Sequence, residues 1–255
     1  MSKVYNIDEE GNFEGRNHLI RRNDDDITEV EEKLLAIRKR RPQPAPDNKI
    51  LCGINALTAV ALIQAGRNLD APELEEKTSI MIRRLIDVFW DGRTLGHSFY
   101  RGAIQKQSFL FDAAALLTAV SMICEDDASW DKIMTALAGY VESFKEGRTW
   151  IESRARDFQP VFASWFDHPV PSSVSLAEMG QTRVALLTGK ETHSRSYRAP
   201  HQADFFNIVM MMQNGLFHVM TSPGTIPWTQ LPANTLQKRG EPQTDCYRGT
   251  CKILP

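Results

Sequence analysis

Three aspartates, Asp47, Asp112 and Asp167, stand in segments that lead into strongly apolar stretches: APDNKILCGIN, HSFYRGAIQKQSFLFD and WFDHPVPSS. Two carboxylates facing each other across a cavity can share general acid and general base work on a glycosidic bond. Each segment mixes polar groups with aromatic and apolar ones, the make-up of a pocket that fixes a polar ligand. His97 and His168 lie in two of them, and Arg101 and Lys106 offer contacts to an anion. On this reading Asp112, Asp167 and His168 carry catalysis. Asp47, Asn55, Tyr100, Trp165 and Ser172 hold the substrate, with Trp165 and Tyr100 stacking on a sugar face. The plainer reading of each is structural. An Asp or Ser at a helix start is ordinarily a cap or a macrodipole partner, and loop histidines and aromatics ordinarily bond locally or cover the core. Asp112 is the sharpest case, because it lies inside an apolar helix and must be paired or pocket-facing. No Gly-rich phosphate loop, nucleophile elbow or zinc helix is present.

Four cysteines occur, Cys52, Cys124, Cys246 and Cys251. The first two sit in apolar runs and read as buried free thiols. The last two form a C-x4-C pair, wider than the usual zinc knuckle, so neither a metal nor a cofactor is expected. In a continuous strand they would lie about 16 Å apart on opposite faces. A disulfide then requires Arg248-Gly249 to form a tight turn.

The elements that must position these residues follow from composition and periodicity. The chain has 255 residues, an apolar fraction of 42% and a formal net charge of −2. That supports a real core and offers no basic excess for nucleic acid. The polar N-terminus reads as neither signal nor transit peptide, and no apolar run spans a bilayer. A cytoplasmic location, with no membrane partner, is expected. Residues 1–26 read as an extended arm. A charged helix over 27–40 ends in the basic run RKRRP, which suits a helix C-terminus, and RPQPAPD, with three prolines in five residues, breaks it.

From there a helical period dominates over 27–215. ILCGINALTAVALIQAG is apolar all round, which predicts a buried helix, with Gly66 as its C-cap. APELEEKTSIMIRRLIDVFW is amphipathic. SFLFDAAALLTAVSMIC and SWDKIMTALAGYVESFK repeat the alternation, with Ser129 as N-cap of the second. A third round runs from PSSVSLAEMGQTRVALLTG, capped by Ser172 or Ser173 and stopped at Gly189, to PHQADFFNIVMMMQNG. Buried and half-buried helices thus alternate in pairs about sixty residues apart, a helical-hairpin array. The expected fold class is mainly α: a partial (α/α) toroid of hairpins, with a small β element over 216–255 built from LFHVMTS and TDCYRGTCKIL.

These segments resemble one family. KLLAIRKRRPQPAPDNKILCGINALTAVALIQAGR is similar to a stretch of the YyaL and spermatogenesis-associated thioredoxin-domain proteins, where a charged helix passes through an Arg-Pro break into a buried helix. YNIDEEGNFEGRN, WDGRTLGHSFYRGAIQKQSFLFDAAALL, FDHPVPSSVSLAEMGQTRVALLTG and DCYRGTC resemble further family elements in the same order. The resemblance implies a glycosidase-like toroid. It also places Cys246 and Cys251 in a terminal strand, which favours packing over a metal site. Family members are longer and begin with a thioredoxin-like domain, so this chain would correspond to a C-terminal part lacking that domain and the first hairpins. The family's Ser-Trp-Asn-Gly is here Gly53-Ile54-Asn55-Ala56, and its Pro-Ser-Gly-Asn is Pro171-Ser172-Ser173-Val174. An aromatic and an amide at the cavity mouth are therefore changed. Two functions follow as expectations: a non-catalytic or degenerate half-toroid completed by a partner chain or a second copy, or a carbohydrate-active enzyme of glycoside hydrolase or epimerase type.

Overall fold

A computed structural model describes residues 2–107, 109–154, 159–190 and 204–254. The chain divides into two compact units, Met1–Asn48 and Lys49–Pro255. By compactness the charged helix groups with the N-terminal segment rather than with the hairpins.

The first unit holds a single turn, α1 (Ser2–Tyr5), and α2 (Thr28–Lys39). α2 has no buried residue, as its charge density requires. Glu31 on α2 accepts from the Tyr5 hydroxyl and pairs with Arg21 at 2.8 Å.

The second unit opens with β1 (Ile50–Leu51), then α3 (Cys52–Leu69), α4 (Pro72–Phe89), β2 (Ser98–Tyr100), β3 (Ala103–Gln105) and α5 (Leu110–Ile123). It continues with α6 (Asp131–Glu142), β4 (Lys145–Glu146), β5 (Thr149–Trp150), α7 (Ser173–Leu187) and α8 (Asp204–Gln213). It closes with β6 (His218–Ser222), β7 (Thr235–Arg239), β8 (Thr244–Tyr247) and β9 (Thr250–Ile253). The fold is mixed: among the described residues helices dominate, and three small sheets accompany them. α5 packs against α3 on one side and α7 on the other, while α4, α6 and α8 pack on α3, α5 and α7 in turn. The expected pairing of helices is therefore present among the described residues. Residues 200–203, expected to begin the last helix, lie outside them.

α5 is apolar all round, and all of its described residues except the half-buried Phe111 are buried. α3 has a similar composition but a different fate. Ile54, Thr58, Ala61 and Leu69 fall on one face and are exposed, Ile54 at 47% and Leu69 at 73%. The expectation that an all-round apolar helix is buried fails here because, among the described residues, the packing of α4, α5, β1 and the Trp228–Gln230 turn on α3 leaves this face open. α3 also runs past Gly66, and Asp70 supplies the left-handed cap with φ 52°. The extra turn carries Arg67 into its ion pairs. Ser129 does not cap α6: it lies in a short 3-10 turn, Ala128–Trp130, that leads into the helix, and Asp127 caps that turn, its Oδ1 accepting from the Ser129 N–H at 2.9 Å.

At the C-terminal ends of α3 and α5, buried charges bind these helices to α7. Arg67 Nη1 lies 2.9 Å from Glu125 Oε2, and Arg183 Nη2 contacts Glu125 Oε1. Arg67 also reaches the Met122 carbonyl at 2.9 Å and Asp126 at 3.2 Å. Arg183 Nε donates to Ser121 Oγ at 2.8 Å.

Two hairpins share a device the sequence reading missed in one case and left open in the other. Tyr-Arg-Gly-Ala joins β2 to β3 and Tyr-Arg-Gly-Thr joins β8 to β9. Arg101 and Gly102 have φ of 48° and 82°, Arg248 and Gly249 51° and 72°. Positive φ at both central residues is the turn whose twist matches antiparallel strands. The second turn makes Cys246 and Cys251 cross-strand partners, with Cα atoms 4.0 Å apart and a disulfide between them. The packed-thiol reading is overturned because the chain reverses between the two residues. Cys52 and Cys124 are free and buried, and burial pushes the Cys124 thiol up to about 12. Two thiols are therefore expected to react in denaturant without reductant, and none quickly in the native protein. Four reactive thiols would show that the terminal pair does not form.

Candidate functional site

The N-termini of α3, α5, α7 and α8 bring three carboxylates into play, and each one joins two neighbouring helices. Asp112, the third residue of α5, sits at 2% exposure. Its Oδ1 accepts from the Gly53 N–H of α3 at 2.9 Å. Its Oδ2 accepts from the Phe109 N–H at 3.0 Å and lies 2.8 Å from His97 Nδ1. Gly53 is needed for this approach: a Cβ there would stand 2.8 Å from Asp112 Oδ1 and 2.6 Å from the Phe111 ring. Burial lifts the Asp112 carboxyl above the usual range, against its three donors, which lower it.

Glu152, just beyond β5, does the same between α5 and α7. Its Oε1 accepts from the Phe111 N–H at 3.4 Å, and its carboxylate bonds the Ser173 side chain at the start of α7. Burial raises this carboxyl too, with Asp112 adding to the shift. Asp167 closes the series between α7 and α8. Its Oδ1 accepts from the Ser172 N–H at 2.8 Å and from Ser175 Oγ at 3.3 Å, and its Oδ2 from the Phe205 N–H at 2.8 Å. Negative charge at a helix N-terminus also complements the macrodipole. The three carboxylates thus work as fasteners in sequence along the array.

The other sequence candidates resolve individually. Ser172 is the N-cap of α7, its Oγ accepting from the Ser175 N–H at 3.1 Å. Asn55 Nδ2 donates to the Leu51 carbonyl at 2.8 Å within the first turn of α3. Trp165 is half-buried and meets Phe206 edge-on at 5.1 Å, bridging two apolar clusters. Tyr100 is exposed at the hairpin turn with Arg101 over its ring. His168 is exposed, and its N–H donates to the Val170 carbonyl at 3.0 Å. Asp47 is exposed and belongs to the first unit. Asp167, Ser172 and Trp165 gather near the N-termini of α7 and α8, Asp112 and Asn55 near the start of α3. Asp112 and Asp167 share no bonding partner among the described residues.

The arrangement with chemical capacity is His97 with Asp112. The carboxylate holds Nδ1, Phe109 packs edge-on at 4.9 Å, and the half-buried ring keeps Nε2 for another partner. His97 was visible only as a loop histidine, and Glu152 was missed. Its one signal is alternation two residues after the buried Trp150. No group of three or more metal-ligating side chains occurs among the described residues. No helix among them is long and apolar enough to cross a membrane. Compared with known proteins, the chain matches no family model and no curated protein.

Proposed function

We propose that this chain is a segment of a glycosidase-like (α/α) hairpin toroid, of the kind its resemblance to the YyaL proteins implies, and that it works by association rather than by turnover. The observation that carries the reading is the bare face of α3. Ile54, Thr58, Ala61 and Leu69 present small and apolar groups on a helix whose composition suits burial on every side. In a hairpin array that face is where a further hairpin packs, here from another chain, a second copy in the simplest case. The carboxylates support the reading, because Asp112 and Asp167 are occupied by backbone and side-chain donors.

Light scattering on the purified chain tests it. The expected result is a dimer, or a captured partner with apolar dye binding when that partner is removed. The double variant Ile54→Glu, Ala61→Glu should then be monomeric and still folded by circular dichroism, since both side chains are exposed in the single chain, and its melting temperature should no longer depend on protein concentration as the wild type's does. A monomeric wild type that binds no apolar dye would sink the reading.

A second reading, catalysis on a carbohydrate, draws on the His97–Asp112 pair. The carboxylate orients the imidazole and leaves Nε2 as a general base.

A further inference from the structure

Two adjoining cavities open where α3, α5, α7 and α8 meet the C-terminal sheet and the loops before it. One, of about 420 Å³, has an apolar wall built from Val60, Met122, Met179, Ile208, Met211 and Phe217. The other, of about 350 Å³, is bordered by Asn68, Trp228, Thr229 and Thr235. Both are lined by Gln64, Arg183, Phe217 and Ala233, so they run into one another. Methionine walls adapt to irregular aliphatic shapes.

Several donor-bearing side chains line the second chamber, Arg67, Arg183, Trp228 and Thr235 among them. Trp228 Nε1 and Thr235 Oγ1 are buried without a hydrogen-bond partner, and Thr235 is only 7% exposed. Buried polar atoms of this kind are uncommon and call for an explanation. Arg183 spends Nε on Ser121 and Nη2 on Glu125, which leaves Nη1 among the contacts of the described residues. Arg67 lies flat against Trp228, 3.8 Å from the ring centroid. The one carboxylate between these two guanidinium groups is Glu125, which both share. Among the described residues no acidic side chain lines this chamber. An anionic oxygen group would accept from the orphaned indole N–H and hydroxyl and add the counter-charge that Arg183 has only in part.

We propose that the joined cavities bind a small amphipathic carboxylate, its aliphatic chain among the methionines and its carboxylate against Trp228, Thr235 and Arg183. The site is separate from the inner-helix N-termini and does not depend on the reading proposed for them.

Titration calorimetry with octanoate, octanol and acetate tests both halves. Octanoate should bind saturably, octanol at least tenfold more weakly, and acetate not measurably. Thr235→Val keeps the shape and removes a hydroxyl that bonds nothing in the protein, so the fold should tolerate it. It should weaken octanoate by about tenfold, the loss of one hydrogen bond to a charged group, and leave octanol unchanged. Trp228→Phe reads the other donor in the same way, should the first variant fold poorly. Absence of saturable octanoate binding to the wild type overturns the proposal. So does equal affinity for octanoate and octanol, or an unchanged octanoate affinity in the donor variants.

Discussion

Replacing Glu125 by leucine is expected to cost about 3–5 kcal/mol, the range for removing one member of a buried charge pair. That is a large part of the roughly 5–15 kcal/mol that holds a domain together. Glu125 is 1% exposed and is the carboxylate that faces both Arg67 and Arg183. Arg67 would keep Asp126 and Glu75, at 3.2 and 3.4 Å. Arg183 would keep only the Ser121 hydroxyl among the contacts described. Its burial already pulls the guanidinium down to about 9, with Arg67 adding like-charge repulsion. Leucine fills the volume, so the loss is electrostatic, and a second change can separate the causes. Adding Arg183→Met to Glu125→Leu removes the orphaned cation and should recover most of the lost stability. Urea unfolding followed by circular dichroism measures both. A Glu125→Leu midpoint close to wild type would show that the network adds little to the fold.

The network also shows where sequence reading stops. Arg67, Glu125 and Arg183 are spaced by 58 residues on each side. The Gly53–Asp112 bond spans 59. These separations match the hairpin period of about sixty residues read from helical alternation. The signal was therefore present, but a period of helix types does not give a register. Only the register says that a charge near the end of α3 meets the same level of α5 and α7. The helices themselves were legible because α5 and α7 are apolar enough to be recognised without their neighbours. α3 was misread for the same reason: composition reports the capacity to be buried, not whether a neighbour covers every face.

The short strands failed differently. β1 to β5 run two or three residues each, too short for an alternating pattern. They are held by turns and by the helix ends they flank. Tyr-Arg-Gly occurs twice and makes the same reversal twice. The signal lies in the Gly at the second turn position; the preceding Arg accepts positive φ and lays its guanidinium over the Tyr ring in both hairpins. The site was legible in part. Asp112 was marked by being a carboxylate inside an apolar helix, and the structure pairs it. His168 was marked only by lying in a promising loop, and it is exposed.

Asp112→Ala is expected to cost about 3–5 kcal/mol, because it strips the acceptor from two backbone N–H groups and one imidazole nitrogen at a buried point. Asp112→Asn is the more informative change. Its single oxygen can serve Gly53, while its amide then turns a donor toward the Phe109 N–H, and His97 must adopt its other tautomer. One orphaned buried donor costs about 1–3 kcal/mol. The pH dependence tests the cause. Burial raises the folded Asp112 pKa above its unfolded value, so the folded state binds this proton more tightly than the unfolded one. The carboxyl's contribution is therefore fully present below the unfolded pKa and falls as pH rises through the raised folded value. Asparagine has no such titration, so the stability gap between wild type and Asp112→Asn should narrow as pH climbs through the carboxylate range. A gap that widens would mean that the three donors outweigh desolvation and hold the carboxylate ionised. The same proteins separate the two functional readings. If the chain is a scaffold, neither wild type nor Asp112→Asn turns over any member of a broad glycan panel, and only melting temperature changes. Turnover by wild type that is lost in His97→Gln, with melting unchanged, would instead assign His97 Nε2 to catalysis and Asp112 to holding it in place.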